Sequence, residues 1–234
     1  MKKFELTTES ITNVAGKKLF RIKALIDFGD VKAGEVGGYV EKEGNVSQDG
    51  DAWVSGNARI SGNARISGNA RISGNAWIFG NAEVSGDAEV SGDAWVSGDA
   101  EVSGNARIFG NAWIFGNAEV SGDAEVSGDA WVSGDAEVSG NAEVSGDAEV
   151  SGDARISGNA DYTLIQGFGT EFRCTTFYRG KNKKIMVNCG CFHGDLEEFK
   201  KQVKETRSEK IAKEYLMIAD LMENHFASED SGNE

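Results

Sequence analysis

The chain has 234 residues, no proline, 31 glycines and a formal net charge of -14. An ordinary apolar share of 39% argues against disorder throughout, and a chain this acidic is repelled by nucleic acid and by anionic membranes. No stretch approaches the ~18 apolar residues that cross a bilayer, which leaves basic protein surfaces or cations as partners, with no membrane and no direct nucleic acid.

At the start, Met1 to Ser10 holds two lysines with no apolar run behind them, so no signal peptide is expected. The thiols Cys174, Cys189 and Cys191 then read as reduced and the location as cytoplasmic, in a bacterial host. Residues 1–50 read as an N-terminal β cap, with strands at Phe4-Glu5-Leu6 and Leu19 to Leu25. Val40 and Val46 sit six apart and in phase with Ala52, so coiling is expected to begin before the regular repeats.

From Asp51 to Gly158 run 18 unbroken hexapeptides of the form Asn/Asp-Ala-x-Ile/Val-Ser/Phe-Gly. Ala and Ile/Val, two apart, point to the same side of a strand, and the residue between them points outward. Gly followed by Asn/Asp supplies a corner that tolerates positive φ. Trp77, Trp95, Trp113 and Trp131 recur every 18 residues. Three hexapeptides per triangular coil would stack them in one column, and six coils at about 4.8 Å would span about 29 Å. This period and pattern resemble the left-handed parallel β-helix of hexapeptide-repeat proteins. The expected fold is an all-β solenoid, with the β-helix over 51–164.

A period of 18 sorts the outward residues into three columns. The first, Trp53, Arg71, Glu89, Arg107, Glu125 and Glu143, alternates in sign at its middle, so that neighbours can pair. The second holds Arg59, Trp77, Trp95, Trp113, Trp131 and Glu149, with Phe79 and Phe115 at the adjoining corner. The third holds Arg65, Glu83, Glu101, Glu119, Glu137 and Arg155. Stacked glutamates repel by about 0.9 kcal/mol per neighbouring pair in water, and less in salt. Between Asn81 and Ala154 there are sixteen acids and one base, Arg107, a net of -15. Such a body serves solubility, an electrostatic surface for a basic partner, or weak cation binding. The tryptophan column either stabilises the solenoid or binds: a protein, a sugar, or a second copy.

After the repeats, Thr170 to Tyr178 and Lys184 to Cys191 read as a hairpin within 165–194. Residues 195–226 read as a helical module. Asp195 is a candidate N-cap with Glu198 in capping-box position, followed by the stripe Leu196, Phe199 and Val203. A second helix is expected from Ser208 to Phe226, with Ile211, Tyr215, Ile218, Leu221 and Met222 inward. The tail, 227–234, reads as disordered. This end is either a cap or a module for oligomerisation or partner binding. Cys174, Cys189, Cys191 and His193 have an unusual spacing for zinc, and packing on alternate strand positions explains them equally well. No cofactor and no metal are expected.

The segment Asp27 to Val40, with Thr175-Thr176-Phe177-Tyr178-Arg179-Gly180 and Cys189 to Phe199, resembles uncharacterised hexapeptide-repeat proteins of phages and prophages and YdcK-like bacterial proteins. The resemblance implies a phage or mobile-element origin, with no established activity. Hexapeptide-repeat acyltransferases typically use a histidine near a loop that interrupts the coils. Here His193 and His225 both lie outside the repeats and no loop interrupts them, so the chain is expected not to be an enzyme. The expected role is binding a basic host protein, as an inhibitor or DNA mimic acting on nucleic-acid-handling or defence machinery such as CRISPR effectors. Self-assembly through the tryptophan face or the C-terminal helices, and an acyltransferase relative, are the alternatives.

Overall fold

Alternation within each hexapeptide decides the core. In the computed structural model, which describes residues 2–227, every Ala and every Ile or Val from Ala52 to Ile156 is buried in one continuous cluster. Before the repeats lie β1 (Phe4–Thr12), β2 (Lys18–Ala24) and β3 (Val36–Val40). Each hexapeptide then contributes one two-residue strand, from β4 (Trp53–Val54) to β21 (Arg155–Ile156). Each strand from β4 to β18 pairs in parallel with the one three strands on, as Trp95↔Trp113 and Val96↔Ile114 do. Three hexapeptides therefore close a coil, and the solenoid holds about seven coils.

The coils are tied by backbone bonds that repeat every coil: Trp95 N donates to Ala112 O at 2.9 Å, Ser97 N to Ile114 O at 2.9 Å and Asp99 N to Gly116 O at 2.8 Å. At the corner, Gly98 has φ +75°, and a Cβ there would lie 2.7 Å from Gly116 O. Only glycine meets both conditions.

The coil does begin before the regular repeats, but in a different phase from the one the sequence suggests. Val40 pairs with Ile60 and Val46 with Ile66, so both occupy the Ile/Val row and not the Ala row of Ala52. Eight residues separate Val46 from Val54 where the repeat has six. The surplus pair shifts the phase. β1 and β2 form an antiparallel hairpin, and β2 pairs antiparallel with β3. Gly37 passes so close to the next coil that a Cβ would sit 2.5 Å from Val54 O.

Both ends of the solenoid have their open backbone groups bonded by side chains. At the start, the Lys3 ammonium, 2% exposed, donates to Gly50 O and Ala52 O at 3.0 Å each. Burial holds its pKa below the usual lysine value, against the opposing pull of Asp51 and Asp49. Asn45 donates to Gly62 O and Ala64 O. At the far end the exposed N–H groups find oxygen acceptors: Glu143 N donates to Asn159 Oδ1 (2.7 Å), Glu149 N to Thr176 Oγ1 (2.9 Å) and Ser157 N to Asp161 Oδ2 (2.7 Å). An end coil left unpaired would template aggregation.

Beyond the solenoid, β22 (Tyr162–Phe168), β23 (Arg173–Arg179), β24 (Ile185–Cys189) and β25 (Phe192–Asp195) form an antiparallel sheet. The expected hairpin is its centre, β23–β24, and β22 runs across the expected boundary at 164. α1 (Leu196–Thr206) and α2 (Glu209–Ala227) pack on it around a second core containing Phe177, Phe199, Tyr215 and Met222. Asp195 caps α1: Glu198 N donates to Asp195 Oδ1 and Asp195 N to Glu198 Oε2, both at 3.0 Å. On α2 the buried stripe is Tyr215, Ile218, Ala219, Met222 and Phe226. Leu221, expected inward, is 60% exposed, because Met222 holds the inner position one step further round the helix. Residues 228–234 of the expected disordered tail lie outside the described residues.

Candidate functional site

The three outward columns form three sheets, and the second column is a stack of indoles. Trp77, Trp95, Trp113 and Trp131 have ring centroids 5.1, 4.7 and 5.1 Å apart and lie parallel within 6°. The strand spacing imposes this separation. Phe79 meets Trp95 edge-on at 5.9 Å, and Phe115 meets Trp131 in the same way. Each indole face is largely covered by the next ring, so the column shows its edges outward. A sugar stacks on an open aromatic face, and only the end rings of this column could offer one.

The stack also extends beyond the four tryptophans. The Arg59 guanidinium lies 4.9 Å from the Trp77 ring, Arg59 pairs with Tyr39, and Arg21 sits 4.7 Å from the Tyr39 ring. Sequence reasoning missed Tyr39 and Arg21, because Tyr39 precedes Arg59 by 20 residues instead of 18. It also missed Phe109, packed by Arg107 at the corner before the indoles, and the tip of the β1–β2 hairpin. That tip, with Asn13, Val14 and Ala15, overhangs Trp77, Phe79 and Trp95 and encloses a cleft of about 320 Å³. Val14 at its rim is 89% exposed. Trp53, expected in an outward column, is buried at 3% beneath Phe4 and Phe28, so it belongs to the cap.

The third column is aligned as expected. Arg65 pairs with Glu83 at 3.7 Å and Arg155 with Glu137 at 2.9 Å, so the arginines close the two ends. Glu101 and Glu119 stand between them in register, both exposed, with no ion-pair partner among the described residues. In the first column Arg107 pairs with Glu125 at 2.6 Å, whereas Arg71 turns to Asp30 at 3.3 Å and leaves Glu89.

The corner acids are organised in a way not read from sequence. Asn69 donates to Asp87, Asn75 to Asp93, Asn81 to Asp99, Asn105 to Asp123, Asn111 to Asp129 and Asn117 to Asp135, at 2.7–2.8 Å. Each amide sits one coil before its carboxylate. These bonds supply a structural reason for six of the corner acids. The Glu101–Glu119 pair has no comparable internal partner.

The repeats are similar to the YdcK beta solenoid repeat. That family model matches residues 64–80, which span Arg65, Arg71, Trp77 and Phe79. No curated protein matches the chain. Outside the YdcK-like repeats, the C-terminal sheet gathers Ser151, Tyr178, Asn188 and His193. His193 Nδ1 lies 2.7 Å from Asn188 Oδ1 and 3.3 Å from Ser151 Oγ. Both contacts use the same ring nitrogen, which cannot hold a proton for Asn188 and take one from Ser151. A nucleophilic relay needs the two nitrogens in separate roles. Cys174 and Cys189 are half-buried and Cys191 is exposed. Burial pushes the Cys174 thiol up, away from thiolate. Among the described residues no three His, Cys, Asp or Glu side chains converge as a metal site, and no helix is long and apolar enough to cross a membrane.

Proposed function

We propose that this chain is a non-enzymatic binding protein that offers the acidic body and indole column of its solenoid to a protein with a basic, nucleic-acid-binding surface. The observation that carries this reading is charge density along the axis. The stretch from Asn81 to Ala154 has a net charge of -15. At about 4.8 Å per 18-residue coil that is roughly one negative charge per 1.3 Å, close to the ~1.7 Å of duplex DNA. A rod of this density competes with DNA for an arginine-lined groove, and the exposed Trp and Phe edges add apolar anchors. A protein of phage or mobile-element origin that occupies a nucleic-acid-handling or defence enzyme in the bacterial cytoplasm, CRISPR effectors included, fits such a surface. One further observation favours binding over acyl transfer: no loop interrupts the coils from Asp51 to Gly158.

The test is retention of bacterial lysate proteins by the immobilised chain, set beside a Glu101→Lys plus Glu119→Lys variant. Salt-sensitive retention of a basic protein by the wild type and its loss in the variant support the proposal. Equal retention by both overturns it.

A second reading, self-association through the C-terminal module, is favoured by Met217 and Leu221. They are 64% and 60% exposed and one helical turn apart on α2. Light scattering on Met217→Lys plus Leu221→Lys, beside Trp95→Ser plus Trp113→Ser, shows which face, if either, holds copies together.

A further inference from the structure

The two ends of the indole column are built differently. At the N-terminal end the Arg59 guanidinium covers Trp77, 4.9 Å from its ring. At the C-terminal end Trp131 has Trp113 against one face at 5.1 Å and Phe115 edge-on at 5.9 Å. No further ring and no cation among the described residues lies on it. It is the one indole of the column that is exposed outright, at 43%. The position one coil further on is Glu149, in register with Trp131 and itself exposed.

An open indole face presents the negative side of the ring quadrupole, and a carboxylate one strand spacing away adds a full negative charge. Corner Asp147 belongs to the same hexapeptide as Glu149 and deepens the field. We propose that Trp131 and Glu149 form a subsite for a guanidinium side chain of the partner, taking at this end of the column the place that Arg59 holds at the other. The guanidinium plane lies on Trp131, and Glu149 swings to its rim to accept its N–H groups. Arginine suits the site better than lysine, because it is planar, weakly hydrated and able to donate two parallel hydrogen bonds to one carboxylate. This subsite rests on the reading that the partner is a basic protein, which supplies the charge complementarity.

The probe is a hexa-arginine peptide, titrated into the full chain at low salt while the indole N–H resonances are followed by NMR. The Trp131 resonance is expected to move most. Trp131→Leu is expected to weaken binding about fivefold, the equivalent of one partly solvated cation–π contact. Glu149→Gln, which leaves the stack intact, weakens it in the same direction. Glu5→Gln, exposed on β1 in the N-terminal cap, changes it by less than about twofold. Hexa-lysine binds more weakly than hexa-arginine. Binding by Trp131→Leu and Glu149→Gln as tight as wild type overturns the subsite and leaves the basic-partner reading standing, and hexa-lysine binding as tight as hexa-arginine overturns the guanidinium preference. No binding of hexa-arginine to the wild type at low salt overturns both.

Discussion

Asn117 Nδ2 donates to Asp135 Oδ1 across one coil at 2.8 Å, and the next residue of that corner, Asp153, is a second carboxylate. The same break occurs where Asn111, bonded to Asp129, is followed by Asp147. From Asp87 to Asp135 each corner Asp is preceded by an Asn that bonds it, so these two places stack like charges without an amide between them. Asp129→Asn and Asp135→Asn each extend the amide ladder by one rung. Each is expected to stabilise the solenoid by about 0.5–1.5 kcal/mol at low salt, and by less at high salt, where repulsion is screened. Thermal melts at two ionic strengths measure this.

Gly98→Ala is expected to be costly. It forces a side chain onto φ +75° and a Cβ to within 2.7 Å of Gly116 O. The backbone term alone is about 1–2 kcal/mol, and the coil must also open locally. Hydrogen exchange of the Asp99 amide, bonded to Gly116 O, should lose protection more than amides two coils away.

Trp95→Ala removes two stacked neighbours and the edge contact of Phe79. A loss of about 1–3 kcal/mol is expected, against about 0.5–1.5 for Trp131→Ala, which has one stacked neighbour. Near-ultraviolet circular dichroism follows the loss of stacking independently of the melt.

Acid is expected to loosen the start of α1. The hydrogen bond from Lys184, at 2.7 Å, is the main cause holding Asp195 below the usual aspartate value, followed by the bond from the Glu198 amide. The cap contribution is therefore complete above pH 3.8, the unperturbed value, and is lost as pH falls below it through the folded pKa. Hydrogen exchange of the Glu198 amide, corrected for its intrinsic pH dependence, reads this loss. Lys184→Met should move it toward higher pH.

Much of this was legible because the tryptophans mark the period. Their 18-residue spacing assigns every outward side chain between Trp53 and Arg155 to its column, as the pairing Trp95↔Trp113 bears out. The phase of the first coil was hidden, because Val40 and Val46 keep the six-residue interval and the surplus pair lies beyond them. The Asn/Asp choice looked like variation in charge, since its meaning depends on a partner one coil away. On α2, Leu221 and Met222 are adjacent and equally apolar, and only the packing of Tyr215 and Ile218 decides which one faces in. β22 and β25 escaped notice because neither shows a regular alternation of apolar and polar residues.

DNA-like presentation by the acidic body is tested most directly by displacement. Lysate proteins retained on the immobilised chain at low salt are challenged with duplex DNA and, separately, with uncharged polymer. The prediction is that a nucleic-acid-binding protein is released by the duplex and not by the polymer, and that Glu101→Lys plus Glu119→Lys never retains it. Retained proteins that duplex DNA fails to displace, or that the charge variant holds equally well, would contradict the proposal.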